Sequence, residues 1–158
     1  MERLSLILWR ERDLLETLLF KLEEEQLLLA HGRTRWLMRA TQEVETVLQS
    51  IRETEILRSV AADEAAAAMG LGASPSLRAL ADAVGEPWHT ILAEHRDAFV
   101  KVTQEISALA DANRELVTAG YRSARETLLS LGDTASGYGQ DGAAVTESPR
   151  HLLVDRSL

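Results

Sequence analysis

Between Trp88 and Leu131 a stripe of mainly apolar positions recurs in steps of four and three: Trp88, Leu92, His95, Phe99, Val102, Ile106, Leu109, Asn113, Leu116 and Gly120. That alternation belongs to a helix packed along other helices. From Val117 a second stripe starts one position later, through Tyr121, Ala124, Leu128 and Leu131, which turns the apolar face by about 100° around the axis. One helix therefore offers two faces. The first is expected to close a bundle and the second to stay free for another protein.

The rest of the chain is consistent with helices throughout. Long runs of Leu, Ala, Glu and Arg dominate, aromatics are few, and no alternating β-branched run bounded by turn residues occurs, so the fold class is all-α. At 158 residues with 46% hydrophobic content, one domain with a sizeable core is expected. The net charge of −8, with arginines interleaved among glutamates, argues against a nucleic-acid or anionic-lipid surface, which needs concentrated positive charge. The absence of cysteine excludes disulfides, thiolate nucleophiles and Cys-ligated metals. Leu4 to Trp9 is too short for a signal core, and Ala65 to Ala68 is far below spanning length. The expected setting is cytoplasmic, without membrane insertion.

Taken in order, Glu2 to Ala30 reads as a first helix. Leu4, Leu8, Leu15, Leu18, Leu22 and Leu29 keep heptad spacing, and the added Leu14, Leu19, Phe20, Leu27 and Leu28 widen the face enough to meet two neighbours. The next stripe, Leu37, Ala40, Val44, Val47 and Ile51, is one residue out of phase, and Gly32 sits at the break. A turn over His31 to Arg33 is therefore expected, folding the first two helices into an antiparallel hairpin, with a single long helix carrying a local bulge as the rival reading. The second helix should end near Ala68, followed by a linker and short helix within 69–85. Ser74 and Pro75 are the expected cap and first position of that short helix, Pro75 to Val84.

Pro87 then opens the third long helix. A helix over Glu86 to Leu131 would be about 69 Å long against about 44 Å for the first, so it should outlast its partner by roughly 17 residues. The overhang falls near Asn113 to Leu131, where the stripe also changes course. The resulting expectation is an antiparallel bundle of three long helices, coiled-coil-like, over residues 1–132. Residues 133–158, rich in Gly, Ser, Thr, Asp and Pro, are expected to form a disordered tail.

Little in the sequence points to catalysis. Glu86 and His89 make one Glu-x-x-His, but a di-metal bundle needs a second copy and further inward glutamates, so a surface histidine beside a helix start is the plainer reading. His95, alone on the core stripe, reads as a partly buried, hydrogen-bonded residue. Gly70-Leu71-Gly72 lacks the lysine and spacing of a phosphate loop, and no Gly-x-Ser-x-Gly element occurs. Glu23 to Glu25 and Arg33 to Arg39 read as solvated charged faces and a helix junction. No catalytic residue, metal site or cofactor is expected.

Asn113-Arg114-Glu115-Leu116-Val117, followed by leucines 128, 129 and 131, resembles the Asn-x-x-Leu-Leu start of the client-binding helix in the FlgN family of flagellar export chaperones. Tyr138-Gly139-Gln140-Asp141-Gly142 resembles the family's Tyr-Gly-x-Asp-Gly tail element. The amino-terminal half is similar in its leucine pattern. Gly120, expected to interrupt the client helix, and Leu152 to Val154, beyond the matched tail element, depart from the family pattern.

The resemblance implies a cytoplasmic chaperone that binds the terminal helices of the hook-filament junction proteins FlgK and FlgL, prevents their premature assembly and delivers them to the export gate. By position it makes Asn113, Leu116, Val117, Tyr121, Ala124, Leu128 and Leu131 the client-binding residues of a helix at about 113–131. Tyr138, Gly139, Asp141 and Gly142 would dock on the gate protein FlhA. Two other readings remain open on the residues alone: a homo-oligomeric coiled-coil protein using the same stripe, and a metal-dependent bundle enzyme built on His89 and His95.

Overall fold

A computed structural model describes residues 1–136 of the chain, with side-chain environments through residue 132. It contains α1 (Glu2–Ala30), α2 (Thr34–Ala68), α3 (Leu77–Ala83) and α4 (Trp88–Ser136), with no strand among the described residues. The all-α bundle expected from the stripes is what the chain forms.

The α1–α2 turn is set by Gly32, whose φ of 62° is the left-handed conformation glycine adopts without steric cost. Arg33 N–H donates to Leu28 O (2.9 Å) and Gly32 N–H to Leu29 O (3.2 Å), which satisfies the last carbonyls of α1 in the crossed pattern of a Schellman motif. The same device ends α2: Gly70 has φ 71°, its N–H donates to Ala67 O, and Leu71 N–H donates to Ala66 O. Ion pairs Arg3–Glu64, Glu11–Arg58 and Lys21–Glu43, each at 2.8 Å, cross between the helices with falling partner number. That ordering makes the hairpin antiparallel.

Small residues on α2 make room for α3. Ala61, Ala62 and Ala66 are buried with Leu4, Leu8 and Leu92 against Leu80 and Ala81 of α3. The cap of α3 is Ser76, whose Oγ accepts from Ala79 N–H (3.1 Å), rather than Ser74. Ser74 adopts φ 54° and its N–H donates to Asp63 Oδ1 instead, so the chain is still turning two residues after the expected start. His89 is exposed, yet its Nδ1–H donates to Ala81 O (2.8 Å), tying the first turn of α4 to α3.

The second core cluster contains Leu15, Leu18 and Leu22 of α1, Val44 and Ile51 of α2, and Val102 of α4. Phe99 packs on both clusters. Leu14 and Leu19 join the second cluster as expected, whereas Phe20 and Leu27 are more than half exposed.

Between the clusters lies a buried polar layer. Glu11 follows Leu8 and precedes Leu15; Thr54 stands between Ile51 and Ala61; His95 stands between Leu92 and Val102; all three are buried. Glu11 Oε2 lies 2.8 Å from Arg58 Nε, but the N–H is not directed at that oxygen, so the contact is an ion pair without hydrogen-bond alignment. Thr54 Oγ donates to Ser50 O (2.8 Å). His95 meets the edge of Trp9 (centroids 4.9 Å apart) and stacks on Phe99 (6.1 Å). Neither of its ring nitrogens has a hydrogen-bond partner among the described residues, contrary to the expected hydrogen-bonded histidine; the Trp9 and Phe99 rings beside it offer no acceptor oxygen.

α4 runs unbroken through Gly120 and Gly132 to Ser136, five residues past the expected end at Leu131. A helical glycine costs only about 1 kcal/mol relative to alanine, and Ala119, Ala124 and the surrounding Arg, Glu and Leu residues are good helix formers. The first four residues of the expected tail are thus helical, and the remaining 22 lie outside the described residues. The chain divides into two units, the first being Met1–Val117 and the second beginning at Thr118. The division falls within α4.

The polar layer titrates with opposite signs at its two acid–base groups. Burial raises the Glu11 carboxyl above its ordinary 4.5; the Arg58 charge pulls it back, and Glu55 adds to the rise. Its contribution to stability is therefore complete below 4.5 and is lost as pH rises through the folded-state value. Burial, aided by the Arg12 charge and opposed by Glu94, lowers His95 below 6.5. That contribution is complete above 6.5 and is lost as pH falls through the folded-state value. Urea denaturation across pH should show Glu11→Gln more stable than the parent at pH 7, with the gain shrinking toward pH 4.5. His95→Leu should flatten the acid-side loss that begins below pH 6.5; an unchanged acid limb would place that titration elsewhere.

Candidate interaction surface

Burial along α4 follows its first stripe and then stops. Leu92, His95, Val102 and Asn113 are buried, Phe99, Ile106, Leu109 and Leu116 are half-buried, and Gly120 is exposed. Asn113 closes the sequence of packed layers in the first unit. It is only 4% exposed, and its Nδ2 donates to Leu22 O (2.9 Å) and Glu25 Oε2 (3.2 Å) of α1. Its Oδ1 has no hydrogen-bond partner. Of the residues that the resemblance assigns to client binding, Asn113 is thus turned into the bundle, where its amide fastens α4 to α1.

Leu116 is half-buried, and Val117, the last residue of the first unit, is 51% exposed. In the second unit every residue over 118–132 is exposed. Tyr121, Leu128 and Leu131 are 72%, 70% and 61% exposed, and Ala124 shares their helical face at steps of three and four. Leu129, 60% exposed, lies beside that face. Single exposed leucines are ordinary on protein surfaces, whereas an apolar row at helical spacing is the geometry by which a helix meets another helix. Arg122, Arg125 and Glu126 are interspersed along the same helix.

Tyr138, Gly139, Asp141 and Gly142 lie outside the described residues, as do Leu152 to Val154. The histidines do not assemble a site. His89 is committed to Ala81 O and His95 to an aromatic cage, and no cluster of three or more metal-ligating side chains occurs among the described residues. No described helix is long and apolar enough to cross a membrane.

What the surface can do chemically is to bury apolar area against a partner. Comparison with known families decides the context: residues 1–146 match the family described as FlgN protein. The chain belongs to the FlgN family. The match takes in both the bundle and the exposed row on α4, and extends through the Tyr138 to Gly142 element. No curated protein and no solved structure matches the chain. Membership in FlgN gives the chain the general role of a flagellar export chaperone, a protein that binds flagellar substrate proteins, within a chaperone rather than an enzyme family.

Sequence reasoning overlooked the buried Glu11, although the signal was present: positions 4, 8, 11, 15, 18 and 22 form an unbroken heptad series. Asn113 was visible both as a stripe position and as a motif residue, and its burial separates the two roles. Removing its amide should weaken the attachment of α4 to α1. Asn113→Ala is expected to lower stability by about 1–2 kcal/mol in urea denaturation while helical content is retained; unchanged stability would show that the amide is not an anchor.

Proposed function

We propose that this FlgN protein binds the terminal helices of FlgK and FlgL along α4. The contact face comprises Tyr121, Ala124, Leu128 and Leu131, with Leu116 and Val117 leading into it. The observation that carries the reading is the exposure of this row, with Tyr121, Leu128 and Leu131 each more than 60% accessible. Asn113 belongs to the reading as a positioning residue, since its side chain is engaged with α1.

An amphipathic client helix laid on this face would bury its own apolar stripe together with that of α4. Each well-buried Leu or Val contributes roughly 1.5–3 kcal/mol, from which the loss of rigid-body freedom and the ordering of both partners must be subtracted. Four or five such residues therefore give a moderate net affinity, suited to a chaperone that must later release its client. Covering the client's terminal helix would also keep it soluble and withhold it from assembly. The Tyr138 element, with Gly139, Asp141 and Gly142, would then serve as the contact with FlhA at the export gate, in the cytoplasm, leaving the client face occupied during delivery.

Light scattering coupled to size exclusion, on the full chain mixed with a FlgK or FlgL carboxy-terminal helical fragment, tests the client face. Val117→Glu combined with Leu128→Glu should abolish the complex and leave circular dichroism unchanged. A loss of helicity in that variant would mean that the face is structural core, and a parent chain that self-associates without binding either fragment would make it an oligomer interface. Tyr138→Ala should retain the client complex and lose binding to FlhA in a pull-down; retention of both would remove the tail from the docking step.

A further inference from the structure

Residues 26–42 contain no carboxylate, although the chain has 25 acidic residues and a net charge of −8, and they contain Arg33, Arg35 and Arg39. This stretch forms the end of α1, the Gly32 turn and the start of α2. A groove of about 310 Å³ opens between the two helices there, walled by Leu27, Leu28, Trp36 and Ala40, with Glu24, Arg39 and Glu43 at its rim. Its walls are accessible: Leu27 is 60% and Trp36 44% exposed.

The rim carboxylates are already neutralised. Lys21 Nζ lies 2.7 Å from Glu24 and 2.8 Å from Glu43, and Arg39 Nε lies 3.0 Å from Glu43. Glu25 accepts from Thr41 and from Asn113. Arg33 and Arg35 are exposed, and neither has a carboxylate partner among the described residues. The Arg35 guanidinium rests over the Trp36 ring, 4.6 Å from its centroid, which holds a positive charge at the groove mouth. Arg33 and Arg35 thus stand as two guanidiniums without carboxylate partners among the described residues, on a carboxylate-free turn, Arg35 against the wall residue Trp36.

We propose that this groove docks an acidic amphipathic segment of a partner protein, its apolar side chains seated against Leu27, Leu28 and Trp36 and its carboxylates on Arg33 and Arg35. The site lies wholly within the first unit and does not depend on the α4 face. Charge decides the class of partner, since the two unpaired guanidiniums of Arg33 and Arg35 favour acidic segments over basic ones. Size and shape decide its form. A recess of this volume holds two or three large side chains, whereas a stable second copy needs about 800 Å² from each partner, and a bilayer surface offers no side chains to fill a concave site.

The full chain can be titrated with a fluorescein-labelled 18-residue helical peptide carrying Leu at positions i, i+3, i+4 and i+7 and Glu elsewhere, and with its Lys-for-Glu counterpart, using anisotropy. The acidic peptide should bind at least tenfold more tightly than the basic one and weaken as salt is raised. Arg33→Glu with Arg35→Glu should reduce its affinity at least tenfold; this variant is expected to fold, since acidic residues are favourable in the first turn of α2. Trp36→Ala should weaken it with the charges intact. Equal binding of the two peptides, acidic-peptide binding that survives the arginine replacements, or no binding at all would each overturn the proposal. Co-sedimentation with phosphatidylglycerol vesicles in the absence of acidic-peptide binding would overturn it in favour of a lipid surface.

Discussion

A bundle of three long helices has a core only one stripe wide on each helix, so every layer must be supplied by all three at the same level. That constraint shapes the first unit. Leu4 and Leu8 meet Ala61, Ala62 and Leu92, while Leu15, Leu18 and Leu22 meet Val44, Ile51 and Val102. The layers depend on a hairpin whose register is held by the glycine turn at Gly32 and by ion pairs that cross it. The layering ends at Asn113, whose amide bonds to α1 in place of apolar packing, and beyond Val117 the described residues of α4 are exposed. Exposure of the row on α4 thus begins where the packed layers of the first unit run out.

The polar layer between the two clusters is the exception to apolar packing. A charged carboxylate in a heptad slot costs desolvation that a single, poorly aligned arginine does not fully repay, and the upward displacement of the Glu11 pKa records the shortfall. His95 adds a second unmet group at the same level. Polar groups in a helical seam are retained in some coiled coils because they fix register and partner number. Here they stand between the two apolar clusters, at one level of α1, α2 and α4.

Most of the fold was legible in the sequence because helices announce themselves by period and end at residues with distinctive chemistry. The limits of α1 and the turn at Gly32 followed from stripe phase and a glycine, both local properties. The cap of α3 was misplaced because Ser74 and Ser76 are equally good caps by composition, and only backbone conformation distinguishes them. Gly120 and Gly132 were read as breaks, but strong helix formers on either side outweigh one glycine. The candidate surface was partly legible. The stripe of Val117, Tyr121, Ala124, Leu128 and Leu131 was visible as a pattern, whereas the inward orientation of Asn113 was not, since a motif residue and a core residue look alike until burial is known. The groove beside Trp36 was hidden for another reason: it is formed by residues on both sides of a turn, and its charge emerges only after the rim carboxylates are matched with their lysine and arginine partners.

Among the described residues, Phe99 is the half-buried hydrophobic side chain that packs on both apolar clusters. Its ring joins, by side-chain contact, two levels of the first unit that the continuous backbones of α1, α2 and α4 also connect, beside a layer of imperfectly satisfied polar groups. Packing at Phe99 therefore bears on both clusters at once, so truncating that one ring would be felt at both levels of the first unit.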